Sequence, residues 1–144
     1  MFLFDEVDFV QTQSLPLNEL WRFLPFGYLF TITIETAVLL VGLSPKVSLR
    51  QKLACGVWLT ACTYPIVILV LPAMFFGQSR FVYLFVAETF APVAECFLFW
   101  LAFRGKGLLE TGDWTRCLAA IVIANLASFG IGEVMNQYGW FGLF

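Results

Sequence analysis

Apolar residues along this chain fall into four long runs, separated by short polar or charged stretches. A helix needs about 20 apolar residues to cross the hydrocarbon of a bilayer, and each run is long enough to do so. Proline, glycine and basic residues lie in the breaks, where they end helices. The pattern predicts an all-α polytopic membrane protein whose four transmembrane helices form two helical hairpins. The predicted spans are residues 24–43, 53–76, 81–103 and 117–137.

The composition agrees with burial in lipid. Hydrophobic residues make up 60% of the 144 residues and charged residues 12%, whereas about 25% of a soluble domain is charged. The eight Lys and Arg residues all lie outside the long apolar runs. A net charge of −2 gives no basic surface for nucleic acid. The lipid bilayer is therefore the expected partner of most of the surface, and nucleic acid is not expected as a partner.

The segments that flank the predicted bundle have different characters. Residues 1–23 are aromatic and acidic, and we expect an interfacial or flexible segment there. Its first ten residues include Asp5, Glu6 and Asp8 where a cleavable signal peptide would have basic residues, so we expect no cleavage. The four-helix transmembrane bundle spans residues 24–137, and residues 138–144 form an aromatic C-terminal tail.

Basic residues indicate the direction of the spans. Loops 44–52 and 104–116 each contain three Lys or Arg residues, and the other side of the predicted topology has only Arg22 and Arg80. Cytoplasmic loops carry the excess of basic residues in membrane proteins. A multi-pass protein is therefore expected, with loops 44–52 and 104–116 in the cytoplasm and both termini outside.

The two predicted hairpins resemble each other weakly. Glu35 and Glu95 each lie eight residues before the end of their spans, and residues 59–65 align with residues 124–130 at an offset of 65. A parallel internal repeat is one explanation, since membrane folds often acquire pseudo-symmetry by duplication. A chance match between two apolar helices is the other.

Glutamates inside the predicted spans are the most informative residues for function. An ionisable side chain in a membrane is costly and normally faces protein or a water-filled cavity. A rise of 1.5 Å per residue places Glu35, Glu95, Thr60 and Asn125 at one depth, and Glu88 and Glu133 at another. Other oxygen-bearing or amide side chains accompany them. The candidate ligand-binding or ion-binding residues are Glu35, Glu88, Glu95, Glu133, Thr60, Thr63, Tyr64, Asn125 and Ser128.

These polar residues have two possible roles. They can bind or relay a proton, a cation or a small solute, with hydroxyl and amide groups as neutral partners. Alternatively, each glutamate is protonated or hydrogen-bonded to a facing helix and only orients the bundle. The sequence alone leaves both roles open.

Catalysis has little support in the sequence. No nucleophile elbow, zinc-protease, P-loop or paired-cysteine motif occurs. Histidine is absent, so a Ser or Cys nucleophile would lack its ordinary base. The aspartates Asp5, Asp8 and Asp113 all lie outside the predicted spans. We expect no enzyme and no metal site, and no cofactor is assigned; the four cysteines are expected to be small packing residues.

Four strings carry a resemblance to other proteins: IETAVLLVGLSP, WLTACTYPIVILVLP, VAETFAPVAEC and NLASFGIGE. They lie between residues 28 and 134. Together they resemble uncharacterised small four-span bacterial membrane proteins. The resemblance implies a bacterial inner membrane, and it implies no activity, ligand or partner.

Three classes of function fit these features. The first is a channel-like or transporter-like protein that handles a proton, cation or small solute through its intramembrane carboxylates. The others are an accessory structural subunit of a larger membrane complex and a membrane protein that binds a lipid, pigment or quinone. Four helices rarely enclose a complete transport path, so a homo-oligomer or a subunit of a larger complex is expected.

Overall fold

The computed structural model describes residues 17–75 and 77–138, and their regular structure is entirely helical. This confirms the predicted all-α fold. The predicted segments 1–23 and 138–144 lie mostly outside the described residues. Helix α1 covers Leu17–Gly42, α2 Leu49–Met74, α3 Arg80–Phe103 and α4 Thr111–Gln137.

All four helices are long and apolar enough to cross a membrane, as expected for a multi-pass membrane protein. All four begin earlier than the predicted spans, α3 by one residue and the others by four to seven, because polar residues form their first turns. Helix α2 begins after the N-cap Ser48, whose side chain and that of Gln51 form a reciprocal capping box. The predicted spans began at the first residues of the apolar runs, whereas the helices begin after their N-cap residues.

Two prolines shape the second half of α2. The helix is α-helical to Pro65 and then π-helical over Ile66–Val70. In π geometry the carbonyl of Val67 would bond to the N–H of Pro72, which proline lacks. Tyr83 of α3 supplies the missing donor through its hydroxyl at 3.0 Å. The irregular turn is thus tied to the neighbouring helix.

Two basic side chains close the C-terminal end of α1, where backbone carbonyls lack partners within the helix. Lys52 Nζ donates to the carbonyls of Leu40 at 3.1 Å and Leu43 at 2.9 Å. Arg116 donates to the two carbonyls between them at 2.8 and 3.2 Å. Positive charge at this end also complements the helix dipole. The N-terminal parts of α2 and α4 are therefore both fixed to the end of α1.

We expect Lys52→Met to lower the free energy of unfolding by about 1–2 kcal/mol, because two carbonyls lose a charged donor. Thermal unfolding in detergent, followed by circular dichroism, measures the loss. The matched control is Arg50→Met, since Arg50 is exposed in the same first turn. Equal melting of the two variants would show that the Lys52 contacts do not stabilise the fold.

The two basic loops lie side by side. Lys46 Nζ pairs with Asp113 at 2.7 Å and with Glu110 at 2.9 Å, and Ser44 Oγ donates to Asp113 at 2.6 Å. The hydrogen bonds from Lys46 to Asp113 and Glu110 raise the pKa of the Lys46 ammonium. Loops 44–52 and 104–116 therefore form one end of the bundle, the loop end. The turn at Gly77, which has a positive φ of 82°, lies at the other end, the turn end.

The pattern of buried positions is similar in the two hairpins. Five residues of the α-helical part of α2 are buried, and each has a buried counterpart 65 positions later in α4. Between Gly27 and Leu43, in α1 and directly after it, four buried residues recur in α3 at an offset of 60. Equivalent faces of the two hairpins therefore form the interior. The pairs are Cys55 and Ala120, Gly56 and Ile121, Leu59 and Ala124, Thr60 and Asn125, Thr63 and Ser128, Gly27 and Ala87, Glu35 and Glu95, Leu39 and Phe99, and Leu43 and Phe103.

Packing differs between the halves where the paired residues differ in size. Phe99 is fully buried, stacks on Phe103 with ring centroids 4.5 Å apart and meets the edge of Trp114 at 6.0 Å. Their counterparts are the smaller Leu39 of α1 and Leu43 directly after it. Nearby, α1 approaches α4 so closely that a Cβ added at Gly42 would lie 2.6 Å from the Cβ of Ala120. These layers fill the loop end and leave the polar residues in the middle of the bundle.

Candidate functional site

The centre of the bundle contains two carboxyl groups that are almost fully enclosed. Glu35 is 3% exposed and Glu95 is 2% exposed. An ionised carboxylate in such a place normally has a cation beside it, since burying the charge alone costs several kcal/mol. No described Lys or Arg side chain bonds to either carboxyl. The two carboxyl groups are therefore held by hydrogen bonds from uncharged donors.

Glu35 on α1 is held by two hydroxyls. Thr60 Oγ1 donates to Oε2 at 2.5 Å, and Ser128 Oγ donates to Oε1 at 2.9 Å. Thr60 belongs to the same hairpin as Glu35, whereas Ser128 belongs to the other. Both carboxyl oxygens thus have a partner, and the contacts join three helices.

Glu95 on α3 repeats this arrangement with one chemical change. Asn125 Nδ2 of its own hairpin donates to Oε2 at 2.8 Å, and Thr63 Oγ1 of the other hairpin donates to Oε1 at 2.7 Å. Asn125 is the counterpart of Thr60, and Thr63 is the counterpart of Ser128. The two sites are therefore equivalent in topology and differ in having an amide where the first has a hydroxyl.

Each hydroxyl in the network has a second acceptor. Thr60 Oγ1 lies 2.9 Å from the carbonyl of Gly56, Thr63 Oγ1 3.2 Å from that of Leu59, and Ser128 Oγ 2.9 Å from that of Asn125. A hydroxyl has one proton, so it donates either to the carboxylate or to the backbone. When it turns to the backbone, its oxygen can accept a proton from a carboxylic acid. The same heavy-atom positions therefore serve ionised and protonated glutamate.

The other candidate residues lie outside this network. Glu88 is half-buried on α3 towards the turn end, and no hydrogen bond to its carboxyl is recorded among the described residues. Its neighbours in electrostatic range are Glu133 and Glu35. Glu133 lies 3.4 Å from Asn136 on its own helix. The second polar layer is thus a looser group next to the closed pair.

Tyr64 is also outside the network and packs against an aromatic residue that the sequence analysis did not select. Its ring lies 5.8 Å from that of Tyr28, whose hydroxyl donates to the carbonyl of Val57 at 3.1 Å. Tyr28 precedes Glu88 by 60 residues, the offset that relates α1 to α3. The sequence analysis selected Glu88, and Tyr28 occupies the equivalent position in the first hairpin. The offset of 60 could therefore have identified Tyr28 from the sequence.

The described part of the chain contains no group of three or more Cys, Asp or Glu residues that could hold a metal ion. An open groove of ≈ 470 Å³ lies between α1 and α4 on the outside of the bundle. A pigment or quinone site would need polar groups beside the apolar wall. The groove is lined by Ala37, Val38, Val41, Gly42, Ala120 and Ile123, all without polar side chains.

Comparison with known proteins gives no family for this chain. No family model, no curated protein and no solved structure matches it.

Proposed function

We propose that this chain is a small transport protein of the membrane that moves protons, alone or coupled to a small solute, through the Glu35–Glu95 pair. The observation that supports the proposal is the pair itself: two buried carboxyls without a cation, held by groups that accept either protonation state. A bundle that needed polar contacts only for packing could use neutral side chains throughout. The cost of a glutamate in a membrane favours a chemical use for its proton.

The surroundings of the pair agree with a path along the bundle. Glu88 and Glu133 lie on the turn-end side of Glu35, so a second set of carboxyls stands between the closed pair and that surface. Carboxyl chains of this kind carry protons in membrane pumps and transporters. Since four helices enclose little space, we propose that the protein works as a homo-oligomer or within a larger complex, with both loops in the cytoplasm.

Proton flux into liposomes tests the proposal. The purified chain is reconstituted with a pH-sensitive dye inside, and a potassium gradient with valinomycin supplies the driving force. We expect acidification with the wild type and none with the double variant Glu35→Gln/Glu95→Gln, in which the two side chains keep their shape and cannot ionise. Glu110→Gln is the matched control, since Glu110 is exposed at the loop end. Equal flux from wild type and double variant would refute the proposal.

A role as an accessory structural subunit is the second candidate. It is favoured by the complete pairing of the two carboxyls, since every carboxyl oxygen has a donor and the contacts join all four helices. In that case the chain would purify with defined partner proteins, the double glutamine variant would retain them, and neither the wild type nor the variant would show flux at any gradient. Gentle extraction followed by mass measurement of the intact assembly distinguishes the two roles.

A further inference from the structure

The two halves of the polar pair are equivalent in position but differ in how freely their protons can move. The difference arises from Asn125, which stands where the other half has Thr60. Its amide nitrogen lies 2.8 Å from Glu95 Oε2 and 3.0 Å from the carbonyl of Ile121. Both neighbours are acceptors, so the amide cannot be turned round without placing its oxygen against a carbonyl oxygen.

Asn125 therefore fixes the chemistry of one oxygen of Glu95. Nδ2 always donates, so Oε2 of Glu95 is always an acceptor and cannot carry a proton towards Asn125. Only Oε1, which faces the hydroxyl of Thr63 at 2.7 Å, can be protonated without losing a hydrogen bond. A proton therefore binds to Oε1 of Glu95 and must also dissociate from Oε1, on the same side of the carboxyl group.

Glu35 has no such restriction. Oε2 faces the hydroxyl of Thr60 and Oε1 faces that of Ser128, and both hydroxyls have a backbone carbonyl to which they can turn. A proton can bind one oxygen while the hydroxyl beside it donates to the backbone. When both hydroxyls donate to the backbone, the protonated carboxyl can rotate about its Cγ–Cδ bond, which exchanges the two oxygens and carries the proton to the other side. The proton then passes to the carboxylate of Glu88 on the turn-end side, so Glu35 becomes a carboxylate again and Thr60 and Ser128 keep their own protons.

We infer that Glu35 is the carboxyl that passes protons through the bundle, and that Glu95 is a positioning residue held by Asn125. The titratable groups near the pair are consistent with this division. Glu88 and Glu95 of α3 are both in electrostatic range of Glu35, and Cys96 is in range of Glu95. Helices α2 and α4 present only the uncharged groups Thr60, Thr63, Asn125 and Ser128. The route from the carboxyls of the turn end therefore meets Glu35.

This inference rests on the proposed proton transport, and single substitutions separate it from that proposal. In the liposome assay, Glu35→Gln should reduce the proton flux at least ~100-fold, the scale of a lost acid–base group. Glu95→Gln should reduce the flux far less than Glu35→Gln does, because its amide can still accept from Asn125 and donate to Thr63 while the proton-carrying Glu35 is retained. Loss of flux in both variants would overturn the division and leave transport through the pair intact, whereas absence of flux in the wild type would refute transport itself.

A second readout does not depend on flux. Infrared difference spectra of the wild type minus each variant show the carbonyl band of any protonated carboxyl that the variant has lost. On transfer to D₂O, we expect the band lost in Glu35→Gln to shift faster than the band lost in Glu95→Gln. Asn125→Thr, which gives the second half the partner of the first, should make exchange at Glu95 as fast as at Glu35. Equal exchange in the wild type, or faster exchange at Glu95, would overturn the inference.

Discussion

Replacing Gly56 with leucine should lower the free energy of unfolding by about 3 kcal/mol or more, the upper end of the cost of overpacking. Gly56 is buried on α2 where this helix packs against α1, and an added Cβ would lie only 2.9 Å from the backbone Cα of Thr36. A flexible side chain could move aside, but the backbone of a packed helix cannot. We expect the variant either to fail to fold or to unfold at a much lower temperature in detergent.

The chain provides a matched control in Gly130. A Cβ at Gly130 would meet nothing within 4 Å, and the residue is exposed on the outside of α4. Gly130→Leu should therefore leave the unfolding temperature unchanged or raise it. Glycine in a helix interior lowers the stability of the helix by about 1 kcal/mol relative to alanine. If Gly56→Leu and Gly130→Leu unfold at the same temperature, α1 and α2 do not pack as described.

The sequence predicted the parts of this fold that depend on length and depth. Four runs of sufficient apolar length gave the four helices, because a bilayer sets a minimum length for a crossing. The rise per residue placed Glu35 with Thr60 and Glu95 with Asn125, and both pairs are hydrogen-bonded. These contacts lie within one hairpin, where the turn between two helices fixes their relative depth.

The contacts between the hairpins could not be predicted in this way. Ser128 reaches Glu35 and Thr63 reaches Glu95 only because α4 lies beside α1 and α2 beside α3. A sequence gives the depth of a residue along its helix but not the neighbour that its helix will have. For the same reason Glu88, which shares a helical face with Glu95 by spacing, is half-buried and outside the closed network.

The close approach at Gly56 was also missed. A single glycine in an apolar helix can lie on the exposed or on the packed side of the helix, and Gly130 illustrates the first case. The offset of 65 does not predict the close packing at Gly56 either, because the equivalent residue in α4 is the large Ile121. The two halves share a pattern of buried positions, and the volumes at those positions differ between them.

The second large effect is expected when Glu35 loses both of its donors. In the double variant Thr60→Val/Ser128→Ala, two buried carboxyl oxygens have no hydrogen-bond partner, and each such group costs about 1–3 kcal/mol. We expect the free energy of unfolding to fall by roughly 2–5 kcal/mol on the same scale. Thr89→Val is the control, because the hydroxyl of Thr89 is exposed and donates only to the carbonyl of Phe85 on its own helix.

Adding Glu35→Met to the double variant should restore most of the lost stability. Replacing all members of a buried polar contact with apolar groups of similar size is often close to neutral, and methionine adapts to irregular space. Stability and proton flux should then separate, since the triple variant folds well and has no carboxyl to carry the proton. If the triple variant stays as unstable as the double variant, unpaired carboxyl oxygens were not the cause of the loss. If it regains both stability and flux, Glu35 serves only to hold the helices together.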